Sequence, residues 1–214
     1  MFLIPRIPLL NAEDLAETSL LLRELPAYAV ACNNWPAAYP YSPEVNFRIA
    51  HNGPELFIIF SVKESCCMAM VTEDNGKVWT DSCVEFFFTP DTAAYYNFEF
   101  SCIGKALLGF RKEGAGTIHA SPDILQSIRR FSTLGSANFK EKRETKNWEL
   151  TVAIPARALF RHSIREWTGL QGRANAYKCG DALSQPHYLS WQPIDTPAPN
   201  FHIPRCFTEI GFSE

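Results

Sequence analysis

Residues 78–88, Val-Trp-Thr-Asp-Ser-Cys-Val-Glu-Phe-Phe-Phe, form the densest strand-forming run in the chain. An extended backbone sends successive side chains to opposite faces. Val84, Phe86 and Phe88 then share one face, and Trp79, Asp81, Cys83 and Glu85 share the other. The first set is expected to be core. The second puts an indole plate and two carboxylates on one side of a sheet, which suits a binding surface. The competing reading makes Trp79 a half-buried rim residue and leaves the acids to tie down loops.

The same period of two recurs along the chain. Val45, Phe47 and Ile49 alternate with Asn46 and Arg48, and Asn52-Gly53-Pro54 signals a turn. Leu56, Ile58, Phe60 and Val62 then occupy one face while Phe57 and Ile59 occupy the other. A strand apolar on both faces is central and covered on both sides, so residues 44–62 read as a hairpin entering a core. Residues 95–100 form a further strand, with Phe98 and Phe100 opposite Asn97 and Glu99. Residues 106–111 return after a turn at 103–105, which makes an antiparallel meander. Trp148, Leu150, Val152 and Ile154 mark a half-buried strand. Later strands are expected near 174–178, 188–191 and 206–212, with a proline-rich loop at 193–204.

Helical signals are few. Asn11 caps a predicted helix over residues 12–25, with Leu15, Leu22 and Leu25 as its stripe and Pro26 as its stop. Short helices are expected from Pro122 and Pro155. The predicted fold is therefore all-β, an antiparallel β-sandwich of jelly-roll or immunoglobulin-like type with short peripheral helices. It is read as one domain over residues 1–214, with residues 1–40 an extension packed on it.

Composition removes several function classes. A net charge of −3 supplies no basic field for nucleic acid or an anionic membrane surface, and no apolar run is long enough to span a bilayer. The apolar start lacks a basic front and is broken by Pro5 and Pro8, so no export by this segment is expected. Seven cysteines, an odd number without a CxxC pair, argue against a disulfide framework and a zinc knuckle. Free thiols slightly favour the cytoplasm. The five histidines show no metal-ligand spacing. Calcium needs only loop oxygens, and Glu73, Asp74 and Asp91 are its weak candidates. No nucleophile elbow or P-loop is present.

A pyranose ring offers an apolar C–H face and a rim of hydroxyls, so its site wants an aromatic plate with charged or amide neighbours. Trp79 with Glu85 fits, as does the run from His187 to Trp191, where His187, Leu189 and Trp191 share a face. Glu85 is the ligand candidate, whereas Asp81 is expected to fix the strand entrance through turn hydrogen bonds. Glu85 with Asp81, or Glu85 with Glu99, also leaves open a glycoside hydrolase using paired carboxylates. A third reading is a structural or partner-binding sandwich.

The order of Trp79, Asp81-Ser82-x-Val84-Glu85, the strand at 96–100, the segment Trp148 to Pro155 and a late Trp191 resembles the family 9 carbohydrate-binding modules over residues 40–212. That resemblance implies a sandwich related to DOMON-type domains. It implies a mono- or oligosaccharide, bound at a chain end between Trp79 and Trp191, and a role beside xylan- or glucan-type polysaccharide breakdown. It implies that Glu85 accepts sugar hydroxyls and that Asn97 faces the same pocket. Glu99, Lys178 and His187 complete the expected site. It also implies structural calcium. Family members often place an arginine near the position of Asn97.

Overall fold

The computed structural model describes residues 1–91, 94–112 and 114–214. In chain order its strands are β1 Phe2–Ile4, β2 Tyr28–Ala29, β3 Cys32–Asn33, β4 Glu44–His51, β5 Glu55–Glu64, β6 Cys67–Ala69, β7 Cys83–Thr89 and β8 Ala94–Ser101. They continue with β9 Ala106–Lys112, β10 Ile118–His119, β11 Arg129–Ser132, β12 Phe139–Lys142, β13 Lys146–Pro155, β14 Gln171–Cys179, β15 Tyr188–Ser190 and β16 Thr208–Phe212. The α-helices are α1 Leu15–Arg23 and α2 Pro122–Ser127.

Among the described residues these strands build two large sheets. The larger runs β1-β16-β14-β7-β8-β9-β10, with β15 on β14 and β3 on β15; the smaller runs β11-β13-β5-β4-β2. They face each other as an all-β sandwich, largely antiparallel. The apolar side chains of β7 and β8 meet those of β5 and β13 between the sheets: Val84, Phe86, Phe88, Phe98 and Phe100 against Leu56, Ile58, Phe60, Leu150 and Val152.

The alternation explains this layering. β5 lies at the centre of the smaller sheet. Its Leu56, Ile58 and Phe60 enter the inter-sheet core, while Phe57 and Ile59 pack outward beneath Leu15 and Leu22 of α1. The turn between β4 and β5 needs Gly53, whose φ of 113° a side chain would disfavour. α1 starts later than expected. Its cap is Asp14, which accepts from the Glu17 amide at 3.0 Å. Asn11 instead makes a local turn, accepting from the Glu13 amide.

The run at 78–88 is only partly a strand. Val78–Thr80 is a 3-10 turn and β7 begins at Cys83. Asp81 causes the break. Its carboxylate accepts from the Met70 and Val71 amides at 2.9 Å, tying the strand entrance to the chain beside β6. That is the role expected of it.

The outer face of the larger sheet is covered as well. Phe87, Tyr177, Cys83 and Cys179 project from it into a second apolar cluster closed by Trp35, Ile194, Phe201 and Phe207. The loop carrying Phe201 is pinned down. Phe201 stacks on Tyr177 with centroids 4.3 Å apart, Tyr177 Oη donates to the Phe201 carbonyl, and Trp35 Nε1 donates to Thr196 O at 2.6 Å.

Candidate functional site

Where that covering loop stops short of the sheet, a cavity of about 230 Å³ remains. Glu85, Glu99 and Cys179 form its floor and Arg111 stands on it from β9. Trp79 enters from the 3-10 turn, Asp181 and Tyr188 from the segment after β14, and Pro199, Asn200, Phe201 and His202 from the loop. Arg111 and His202 also border a second hollow of about 540 Å³, where Tyr95, Lys112, Arg173 and Arg205 take part.

The floor is electrostatically unusual. Glu85 and Glu99 are direct cross-strand partners on β7 and β8, and both are buried. Burial, then Cys179 and Glu99 nearby, hold the Glu85 carboxyl well above its ordinary range. Glu99 is raised to about 7 by burial, with Asn97 and Arg111 acting in the opposite direction. Burial pushes the Cys83 thiol up to about 12 and Cys179 well above its usual value. His202 is lowered to about 4 by burial and by Arg111, so it is neutral near pH 7. Its Nδ1 lies 3.0 Å from Tyr95 Oη.

Of the expected sugar-binding residues, Trp79, Glu85 and Glu99 line this cavity. Asn97 does not. It lies behind Glu99, donating to Glu99 Oε1 at 2.8 Å, and so positions that carboxyl. An arginine does reach the cavity, but it is Arg111 on the next strand.

Trp191, Lys178 and His187 require correction. Trp191 packs between the sheets, with Phe2 at 5.1 Å and Phe47 at 5.3 Å between ring centroids. It does not face Trp79, so the two-tryptophan clamp is not formed. His187, Leu189 and Trp191 do share a face, but it is the inner one, and Tyr188 is the residue of β15 turned to the cavity. Lys178 and His187 are fully buried on that inner side. Lys178 Nζ pairs with Glu64 Oε2 at 2.8 Å and donates to His187 Nε2 at 2.7 Å and to Cys179 O at 2.9 Å. Trp148 Nε1 donates to Glu64 Oε1 at 2.7 Å.

Two of the three calcium candidates, Asp74 and Asp91, are engaged by other groups of the protein. Asp74 takes a two-pronged bond from Arg130 at 2.7 and 2.9 Å and accepts from the Ala106 amide. Although burial opposes ionisation, these partners hold its carboxyl below the usual range. Asp91 meets His162 Nε2 at 3.0 Å and the Ala94 amide, while Glu73 is exposed. Among the described residues, the one close group of three metal-ligating side chains is Cys83, Glu85 and Cys179.

Asp181 belongs to the compact polar segment 178–181 that follows a strand and reads as a candidate functional loop end, whereas Arg111, Tyr188 and the 199–202 loop carry no such mark. Tyr188 was within reach, since it alternates with His187 and Leu189. Nothing in the local pattern of the loop announces that Phe201 and His202 fold back over β7.

Comparison with known proteins agrees with this architecture. A protein from Bacteroides uniformis, described as a candidate carbohydrate-binding protein, is 36% identical with a TM-score of 0.93, over 99% of this chain and 98% of that one. A family 9 carbohydrate-binding module from Caldicellulosiruptor kristjanssonii, solved with glucose, superposes with a TM-score of 0.60 at 11% identity, over 100% of this chain and 95% of that one. The structure of such a module from the same organism with cellotriose gives 0.54 at 12%, over 99% and 93%. At such identities these two speak to the fold alone. No functionally curated protein shows significant similarity to the chain. The profile of carbohydrate-binding family 9 matches residues 14–212, nearly the whole sandwich including every wall of the cavity, and the chain belongs to that family.

Proposed function

We propose that the chain is a non-catalytic sugar-binding protein whose ligand enters the cavity between Trp79, Tyr188 and Phe201. One observation carries the reading: an aromatic-walled cavity over buried carboxyls, on the outer face of a rigid sheet. Its volume of about 230 Å³ is below the range usual for drug-sized ligands and suits a single ring. The aromatic walls offer area to the C–H face of a pyranose. Arg111, Glu99, Asp181 and Asn200 offer donors and acceptors to its hydroxyls. The hollow beyond Arg111 and His202 gives further units of an oligosaccharide a path along the same face.

The family and its neighbours solved with glucose and cellotriose support a glucan-type ligand, and a xylan-type one is the alternative to test. The test is calorimetric titration with glucose, cellotriose and xylo-oligosaccharides, each repeated after borohydride reduction of the chain end. Saturable heat that Trp79→Ala removes supports the reading. Heat unchanged in Trp79→Ala, or absent across the panel, contradicts it. Loss on reduction would place chain-end recognition in the cavity.

One observation favours hydrolysis as a second reading. Glu85 and Glu99 are cross-strand neighbours whose carboxyls are both raised by burial, so a proton can be held there for a leaving group. Reducing sugar released by the wild type and lost in Glu99→Gln would establish it. No release across the same panel would dismiss it.

A further inference from the structure

Cys83 and Cys179 stand directly opposite each other on β7 and β14, and Glu85 follows two residues along the same face. One ligand atom from each, two sulfurs and a carboxylate oxygen, lie within 4.8 Å of one another, and all three residues are buried. Cys179 Sγ is 3.2 Å and Cys83 Sγ 3.9 Å from the same atom, Glu85 Oε1. A tetrahedral ion with sulfur at about 2.3 Å and oxygen at about 2.0 Å holds each such sulfur–oxygen pair about 3.5 Å apart. The two observed separations bracket that figure.

We infer that the cavity floor is a binding site for a thiophilic divalent metal ion of the zinc type, held by Cys83 Sγ, Cys179 Sγ and a Glu85 oxygen, with its fourth position open to the cavity.

The donors are pre-positioned. β7 and β14 are neighbouring interior strands of the larger sheet, so the ladder fixes their spacing and little must move on binding. Thiolates select zinc-like ions over calcium or magnesium, which sets this site apart from Asp74 and Asp91 with their oxygen donors. The nearest ammonium in sequence, Lys178, points to the opposite face and is engaged by Glu64 and His187. It therefore does not compete for the floor. Cys179 and Glu85 both line the cavity, so a fourth ligand, water or an oxygen of whatever fills the cavity, has a route in. On binding, two S–H protons and the carboxyl proton pass to solvent, leaving a site of net charge −1 with Arg111 in the adjoining wall. Glu85 and Cys179 are 94 residues apart, which is why no knuckle spacing marks the site.

The test uses the full chain, kept reduced, stripped with a chelator and titrated with cobalt(II). The expected result is one ion per chain, visible absorption of tetrahedral cobalt and a near-ultraviolet sulfur-to-cobalt band, all displaced by zinc. Cys83→Ser and Cys179→Ser lose the band. Cys102→Ser, which removes half of the separate buried Cys67–Cys102 pair at 3.8 Å, keeps it. Should a serine unfold the chain, as circular dichroism would report, near-isosteric Glu85→Gln weakens cobalt binding while the fold persists. In the wild type zinc raises Tm saturably at one equivalent. No sulfur band at saturating cobalt, or a band that survives in Cys83→Ser and vanishes in Cys102→Ser, overturns the site. The proposal does not depend on the sugar reading. Sugar heat without a cobalt band defeats only the metal, and a cobalt band without sugar heat defeats only the sugar.

Discussion

Two clusters of buried polar groups lie back to back across the larger sheet. Lys178 and Cys179 are adjacent residues of β14, yet one belongs to each. The inner cluster of Glu64, Lys178, His187 and Trp148 is closed on itself. Lys178 donates to His187 Nε2 and Cys179 O and forms an ion pair with Glu64 Oε2 at 2.8 Å, and Glu64 Oε1 accepts from Trp148 Nε1. His187 Nδ1 lies 2.9 Å from Gln185 O, so its Nε2 is the atom that accepts from Lys178. The outer cluster of Cys83, Glu85, Glu99 and Cys179 is made of weak acids gathered together, and among the described residues Glu99 Oε2 has neither a hydrogen-bond partner nor an ion-pair partner. The closed cluster is what a fold needs from buried charge, and the open one is what a site keeps for its ligand.

The largest test of that contrast is Lys178→Met. It strands a buried carboxylate, and urea unfolding should register a loss of about 3–5 kcal/mol. A variant of unchanged stability that no longer bound sugar would return Lys178 to the ligand site. Trp191→Ala removes a half-buried ring from the inter-sheet core, and about 3 kcal/mol should be lost, at the lower end for tryptophan truncation. A stability within experimental error of wild type would mean that Trp191 is not packing. Trp79→Ala should instead leave the unfolding midpoint nearly unchanged and weaken sugar binding by about 2 kcal/mol, about 30-fold, as a central aromatic anchor does.

The smallest effect over a single pH unit is the acid dependence of stability. Burial and then Lys178 lower His187 to about 3, and burial and then Arg111 lower His202 to about 4, both from 6.5. Below pH 6.5 the unfolded chain therefore binds protons that the folded chain refuses. Glu64, held below 4.5 by Lys178 despite its burial, acts in the same sense lower down. Each histidine thus lowers stability on acidification by at most about 1.4 kcal/mol per pH unit, while Glu99, raised to about 7, Asp181, raised to about 6, and Glu85, raised well above its ordinary range, act in the opposite sense and lower stability as pH rises. The histidine part is isolated by His202→Gln, which should gain stability relative to the wild type between pH 7 and pH 5; a variant whose pH dependence matched the wild type would contradict a buried neutral His202.

The comparison also shows what the sequence could disclose. Alternation assigned side chains to faces correctly: Phe98 and Phe100 opposite Asn97 and Glu99, and His187, Leu189 and Trp191 together. It did not say which face of β14 and β15 is interior, because both faces of this sheet are covered. The inner one meets β5 and β13, and the outer one meets Trp35 and the loop through Phe201. A lysine opposite a cysteine reads as the polar, outward member until its partner Glu64, distant in sequence, is seen beside it. Trp79 reaches the cavity for a different reason from the one its strand pattern suggested, since the chain is a 3-10 turn there and the strand begins four residues later. Arg111 and the 199–202 loop depend on long-range packing that local periodicity does not carry.

The most direct measurement takes the sugar of the glucose, cellotriose and xylo-oligosaccharide panel that binds the wild type most tightly. It compares Trp79→Ala with Trp191→Ala by calorimetry at a temperature where both are folded. The outer cavity as ligand site predicts affinity lost in Trp79→Ala and retained in Trp191→Ala. Affinity retained in Trp79→Ala and lost in folded Trp191→Ala would place the ligand on the other side of the sheet and contradict the account.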